Sequence, residues 1–317
     1  MTKKINRRTF ITESTRLALS AFVGSNVLPH ICSGASTDTS SAGPDDITVV
    51  TGDNYFNNTI KAVKLLGGME KFVPRGAKVG VLVNSSFEKP GTYVMPEIAL
   101  AAVKMCYTAG AKEITLLNKN SSQKYWSRSN QSNEYKDEIK SLKSAADNFV
   151  KIEIPGGKKL KEAQVVKELM ECDIFINIPK TKDHAGTKFT GTMKNMMGTT
   201  STSTNGFFHF GSNPKTKDYY NDVEFLSQCI TDLNLVRRPN LCLADATEFI
   251  TTNGPFGPGK IIKPQQVIAG VDGIAVDSYC STLLGLSGKD VIMIRKGHAQ
   301  GLGEIDLKKV KIKKVNI

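Results

Sequence analysis

Tryptophan occurs once in the 317 residues, at Trp126, aromatic residues make up 7%, and histidine occurs four times, at His30, His184, His209 and His298. With so few aromatics there is no basic patch interleaved with rings, and no helix-turn-helix pattern is present, which argues against a nucleic-acid partner. The sequence has neither an HxH nor an HExxH spacing, so no familiar zinc motif is written into it. Of the six cysteines, Cys32 lies near the N-terminus; Cys106, Cys172, Cys229, Cys242 and Cys280 stand singly in apolar surroundings. Their odd number, wide spacing and lack of any CxxC pair exclude a disulfide framework and an intrinsic iron–sulfur cluster, leaving buried thiols as the expectation. No apolar run approaches the roughly 20 residues a membrane-spanning helix needs. Internal repeats are also absent.

What is present in excess is positive charge, +12 in total. Lys3, Lys4, Arg7, Arg8 and Arg16 against Glu13 put +4 of it into residues 1–35, and +8 remains beyond them. A basic balance of that size favours anionic ligands. The N-terminal charges have their own pattern: Asn6-Arg7-Arg8-Thr9-Phe10-Ile11 resembles a twin-arginine export signal, Leu17–Val27 is a short apolar stretch, and Ser33-Gly34-Ala35 offers small residues for cleavage near Ala35. Residues 1–35 are therefore expected to be a signal peptide that engages the twin-arginine translocation machinery and directs the protein to the periplasm. Residues 36–46, rich in Ser, Thr and Asp, read as a flexible linker.

From residue 47 the chain alternates β-branched runs with helical spacings. Strands are expected at Ile47–Val50, Lys78–Val83, Glu113–Leu117, Phe149–Ile154, Asp173–Ile178, Leu241–Ala244, Gln266–Ala269 and, as a lysine-studded edge, Val310–Ile317. Helices are expected at Phe56–Leu66, Pro96–Tyr107, Glu134–Ala146, Leu160–Met170, Asp222–Val236, Ile274–Leu284 and Asp290–Lys296. This is the βα alternation of a mostly parallel sheet, read as an α/β fold with two Rossmann-like lobes, about 47–178 and 179–317, around a cleft. The Ser/Thr run after Gly198 is expected to form a mobile loop.

The segment Ile174–Gly198 is the functional candidate. It leaves an apolar strand at Pro179 and gathers Lys180, Lys182, His184, Lys188, Lys194 and Asn195 where open α/β sheets place their sites. Lys180, Lys182 and His184 alternate along an extended chain and so share one face. Lys180, Lys182 and Lys194 are expected to hold an anion, with Asn195 and Asn84 beside it and Gly254 and Gly257 of the 251–259 Gly/Pro loop close by. His184 and His209 are the candidate acid, base or metal ligand. Asp245, Glu248 and Asp277 are the carboxylates expected to orient a lysine or a divalent cation, whereas Asp272 reads as a helix cap.

Several stretches taken together resemble the family catalogued as domain of unknown function 362: INIPKTKDH at 176–184, TGTMKNMMG at 190–198, His209, LADATEF at 243–249, NGPFGPG at 253–259, GVDGIAVD at 270–277 and GHAQGLGEID at 297–306. The resemblance implies an α/β fold and a cofactor- or metal-associated role. Some relatives carry a ferredoxin-like iron–sulfur segment that this chain lacks. Where relatives tend to have Lys-Pro-Asn, this chain has Leu82-Val83-Asn84, keeping the asparagine without the lysine. The reading that follows is an exported α/β enzyme acting on a small anionic substrate or cofactor, with or without a metal; the alternative is a periplasmic binding or accessory protein using the same cleft.

Overall fold

The computed structural model describes residues 46–118, 123–145, 147–211 and 222–317. The expected signal peptide and, apart from Asp46, the linker lie outside the described residues.

β1 (Ile47–Thr51) leads into α1 (Tyr55–Leu65), β2 (Lys78–Val83), α2 (Pro96–Thr108) and β3 (Glu113–Leu116). α3 (Gln123–Trp126), α4 (Lys136–Ser141) and β4 (Lys143–Ser144) follow, then the hairpin of β5 (Phe149–Glu153) and β6 (Glu162–Val166), α5 (Lys167–Glu171) and β7 (Ile174–Ile178). The second half holds the hairpin of β8 (Lys182–His184) and β9 (Lys188–Thr190), α6 (Thr192–Asn195), α7 (Thr202–Phe210) and α8 (Val223–Leu233). β10 (Leu241–Ala246), the two-stranded β11 (Phe249–Ile250) and β12 (Ile261–Ile262), β13 (Gln266–Gly270), α9 (Gly273–Thr282), α10 (Ile292–Ala299) and β14 (Ile312–Asn316) complete it.

Eight strands form one sheet in the order β14-β1-β13-β10-β7-β2-β3-β4. Only β13 runs against its neighbours, β1 and β10; the remaining pairings are parallel. Strands from 47–178 and from 179–317 share this sheet, and β1 sits between β13 and β14 from the second half. The mostly parallel α/β architecture expected from the βα alternation is thus what the chain adopts.

Strand periodicity divides the core in two. Ile174, Ile176 and Ile178 of β7, with Leu241 and Leu243 of β10, face α1 and α2, whose Ala62, Val63, Ile98 and Ala102 fill that side. Phe175, Cys242 and Ala244 face the other way, toward Ile230 and Leu233 of α8, Val276 of α9 and Ile294 of α10. Both faces are covered, which is why these strands read as continuous apolar runs. Cys106, Cys172, Cys229, Cys242 and Cys280 are all buried and unpaired, and burial pushes the thiols of Cys106 and Cys229 up to about 12.

Several elements differ from expectation. The helix expected at Leu160–Met170 is instead β6 followed by the short α5: Glu162 and Gln164 are exposed while Ala163 and Val165 are buried, a period of two that pairs with β5. The Ser/Thr run is the start of a helix, not a loop; Ser201 caps α7 by accepting from the Thr204 amide, and Phe208 anchors its far end in the core. The helix expected at Glu134–Ala146 shrinks to α4, because β4 peels off to pair with β3; Ala146 itself lies outside the described residues. α10 begins at Ile292, two residues later than expected, behind a capping box made by Ser287 and Asp290. Asp222 caps α8 and Asp272 caps α9 as expected, and β14 lies at the sheet edge with Lys313 and Lys314 exposed.

Candidate anion site

β7 and β10 stop pairing just before Pro179, but the chain keeps alongside β10: the Asp245 amide donates to Pro179 O (2.9 Å) and the Thr181 amide to Asp245 O (2.9 Å). That register drives the Lys180 side chain inward, where Nζ meets Asp245 Oδ2 at 2.8 Å with both side chains fully buried. Asp245 is saturated. Oδ2 also accepts from the Met95 amide (2.7 Å), and Oδ1 from the Thr247 amide (2.9 Å) and hydroxyl (2.7 Å). Lys180 and Asp245 are therefore a buried tie between the exits of β7 and β10 and the start of α2, and the expected grouping of Lys180 with Lys182 and His184 on one ligand-facing row is corrected.

The hairpin β8–β9 turns the next two residues of that row into a different space. A cavity of about 450 Å³ opens at the carboxyl end of β2, outside the parallel strands where such sheets bind ligands. Lys182, His184, Lys194, Asn195, Asn84 and His209 all line it, so six of the expected site residues converge. Among the described residues, no Asp or Glu lines it.

Each basic group has a distinct setting. Lys182 Nζ donates to Thr92 O (2.7 Å) and Pro255 O (3.1 Å) and stands 3.6 Å over the Phe87 ring. Burial, then the nearby Lys180 and Lys194, push it down to about 6, while the two carbonyls and the ring favour the ammonium. His184 Nδ1 accepts from the Gly186 (3.0 Å) and Thr187 (3.2 Å) amides. Amides only donate, so Nδ1 carries no proton and Nε2 does. Burial, with Lys194 and Lys182 nearby, pushes His184 down to about 2. His184 is thus a neutral N–H donor, its one basic nitrogen occupied by the two amides. Burial and then Lys194 lower His209 as well.

Lys194 differs from all of these. Its Nζ is 3.4 Å from Met197 Sδ, a soft and weak acceptor, and burial pushes it down to about 8. The structure goes to some length to put it there. Asp277, fully buried, accepts from the Thr192 (2.6 Å) and Met193 (3.0 Å) amides and so fixes the start of α6. Residue 191 has to be glycine, since a Cβ there would lie 2.3 Å from Asp277 Oδ1. Burial pushes Asp277 up to about 7 against the pull of these amides. Asn195 Nδ2 then donates to Asn177 Oδ1 at 2.7 Å, and Asn177 Nδ2 to Thr192 O at 3.0 Å. Asp277 and Asn195 hold Lys194 in position through the backbone of α6; Asp245 orients a lysine as expected, but that lysine is Lys180, outside the cavity lining.

Glu248 lies elsewhere, paired with Lys263 at 3.0 Å. The carboxylates expected to bind a divalent ion do not meet, and among the described residues no group of three or more His, Cys, Asp and Glu side chains could hold a metal. Among the described residues the donor set around the cavity does not fit a metal centre. Gly254 and Gly257 do not line the cavity but shape its rim. The Gly254 amide donates to Asp183 Oδ2 (2.8 Å), and a Cβ there would lie 1.8 Å from Asp183 O, so only glycine allows the 253–259 loop to lie on β8. That contact sets Pro255 and Phe256 beside the cavity.

Sequence reasoning missed Asn177, Phe87 and Phe256. A polar residue in the middle of IFINI was a usable signal, because an amide buried between sheet strands must have partners. Phe256 lies between Gly254 and Gly257, so its loop is marked although the ring is not, whereas nothing in the sequence near Phe87 marks it as a cavity residue.

Residues 79–282 match the family described as Domain of unknown function (DUF362). No curated protein matches the sequence. Among solved structures the chain is similar to a Thermotoga maritima protein (16% identity, TM-score 0.40), covering 75% of this chain and 60% of that one. It is also similar to lactate racemase apoprotein from Thermoanaerobacterium thermosaccharolyticum (14% identity, TM-score 0.39), covering 71% of this chain and 54% of that one. The chain thus spans less than two thirds of either.

Proposed function

Because the chain belongs to the DUF362 family, which is defined without an activity, we propose its function from the cavity: it binds a small anionic substrate or cofactor, with the Lys194 ammonium receiving the negative charge. The observation that carries this reading is a partly buried ammonium with only a thioether beside it, in a cavity that no carboxylate lines among the described residues. A buried charge without an opposite partner is costly, and an incoming anion removes that cost. The His184 Nε2–H and the Thr190 hydroxyl, which is buried without a hydrogen-bond partner, add neutral donors. An ammonium and neutral N–H and O–H donors in a partly desolvated pocket are the elements that stabilise a developing oxyanion, which favours an enzyme, with His209 as its candidate for proton transfer. Capture without chemistry is favoured by one observation: the basic nitrogen of His184 is tied up by two amides.

Native mass spectrometry of the folded protein is expected to show a small anionic adduct that is lost in Lys194→Met and kept in Lys263→Met, a substitution outside the cavity. An adduct retained by Lys194→Met rejects the reading. Recovery of the molecule chemically changed after incubation marks an enzyme, and recovery unchanged marks a binder.

We also propose that the protein is exported to the periplasm. The support is the order of Arg7-Arg8, apolar stretch and small-residue site in residues 1–35. Changing Arg7 and Arg8 together to lysine is expected to leave the protein in the cytoplasmic fraction at full length, and unchanged periplasmic recovery would count against the twin-arginine route.

A further inference from the structure

The cavity's walls carry information that its charges do not. Its volume of about 450 Å³ falls in the range of roughly 300–1,000 Å³ typical of sites for small organic molecules, far more than a bare inorganic anion fills. Leu82, Val83, Met197 and Leu226 line it with apolar surface. At the rim Phe87 and Phe256 meet edge to face, with centroids 5.5 Å apart. Phe256 is 65% exposed, the highest value among the large apolar side chains of the described residues. An aromatic side chain left open to water beside a lined cavity marks a surface that gains by being covered. The backbone goes out of its way to hold it there, through the Gly254 contact on β8 and the positive φ of 65° at Gly257. Lys182 ties the same parts together, bonding Pro255 O and resting on the Phe87 ring.

Building on the anion reading above, we propose that the negative group in this cavity is carried on a flat apolar body, as in an aryl phosphate or aryl carboxylate, with the anion at Lys194 and the ring among Phe87, Phe256 and Met197. A ring prefers edge-to-face or offset contact with the existing pair, and a thioether sulfur packs well against a ring edge. Met197 therefore serves both ends: its sulfur neighbours Nζ of Lys194 and its side chain belongs to the apolar wall. Asn118 Oδ1, buried in the lining without a hydrogen-bond partner, would accept from a hydroxyl or N–H on the same body.

Calorimetric titration of the full chain at pH 7 with two matched pairs tests this: phenyl phosphate against inorganic phosphate, and benzoate against acetate. Each aryl member is expected to bind at least tenfold more tightly than its partner. Phe256→Ala, a change at an exposed position that leaves the core intact, is expected to weaken the aryl ligands about fivefold and leave inorganic phosphate unaltered. Lys194→Met is expected to abolish binding of the aryl anions. Equal affinities within each pair would overturn the aryl inference and leave the anion reading standing. Benzyl alcohol binding as tightly as benzoate would overturn the anion reading, and no binding by any of the four anions would overturn both.

Discussion

Asp245→Ala is expected to lower the melting temperature by roughly 10 °C, the largest loss of stability from a single polar substitution in this protein. The carboxylate and Lys180 are both fully buried and 2.8 Å apart. Removing one member of such a pair strands the other charge in a low-dielectric interior, at a cost of about 3–5 kcal/mol. For a domain of this size, each kcal/mol moves the midpoint by about 2–4 °C. The loss extends beyond the ion pair, since the Met95 and Thr247 amides also lose their acceptor. Lys180→Met is expected to cost less, because Asp245 keeps three donors and the methionine chain fills the lysine's space. Thermal unfolding followed by circular dichroism ranks the two variants. A melting point for Asp245→Ala within 2 °C or so of the parent would show that the pair is not the buried tie described, and a variant with parent stability but no ligand binding would return Asp245 to the site.

This pair also shows how far the sequence could be read. The apolar runs of β2, β7 and β10 and the polar residues that follow β7 place a site at the carboxyl edge of a parallel sheet, and the cavity is there. Alternation along 180–184 then suggests three side chains in one row. It fails at Lys180 because pairing with β10 persists past Pro179, and only the hairpin β8–β9 turns Lys182 and His184 away. Whether a lysine faces a ligand or a carboxylate depends on a partner 65 residues distant, and no local pattern encodes that. Asp277 illustrates the same limit. An aspartate inside an apolar helix signals a buried partner, but not whether that partner is a lysine, a metal or, as here, two amides at the start of α6. Period also misleads at 160–170, where the apolar positions satisfy both a helix and a strand until β5 supplies an edge to pair with.

The affinity for a simple carboxylate such as benzoate is expected to be nearly flat from pH 6.5 to 7.5 and then to fall, reaching a loss of about 100-fold by pH 10. The sign follows from linkage. The anion binds the protonated amine, so it raises the Lys194 pKa in the complex, and the free protein must take up the missing proton wherever Lys194 is already deprotonated. Lys194 in the free protein lies at about 8, so affinity falls tenfold per pH unit above that point, or about 1.4 kcal/mol per unit. The ligand contributes no break, because its carboxyl titrates near 4. The other groups around the cavity leave different marks. His184, held near 2 with Nδ1 occupied, stays neutral throughout the range. His209, lowered from its ordinary value by burial and Lys194, protonates on the acid side and adds affinity only there. Lys182 at about 6 would start the decline two units earlier if it were the receiving cation, yet its two carbonyls and the Phe87 ring already satisfy the ammonium. Calorimetry in two buffers of different ionisation enthalpy, at pH 8, is expected to show uptake of about half a proton per ligand. Lys194→Met removes both the break and the uptake. A break near 6 instead of 8 would transfer the anion from Lys194 to Lys182, and a profile flat to pH 10 would mean that neither lysine receives it.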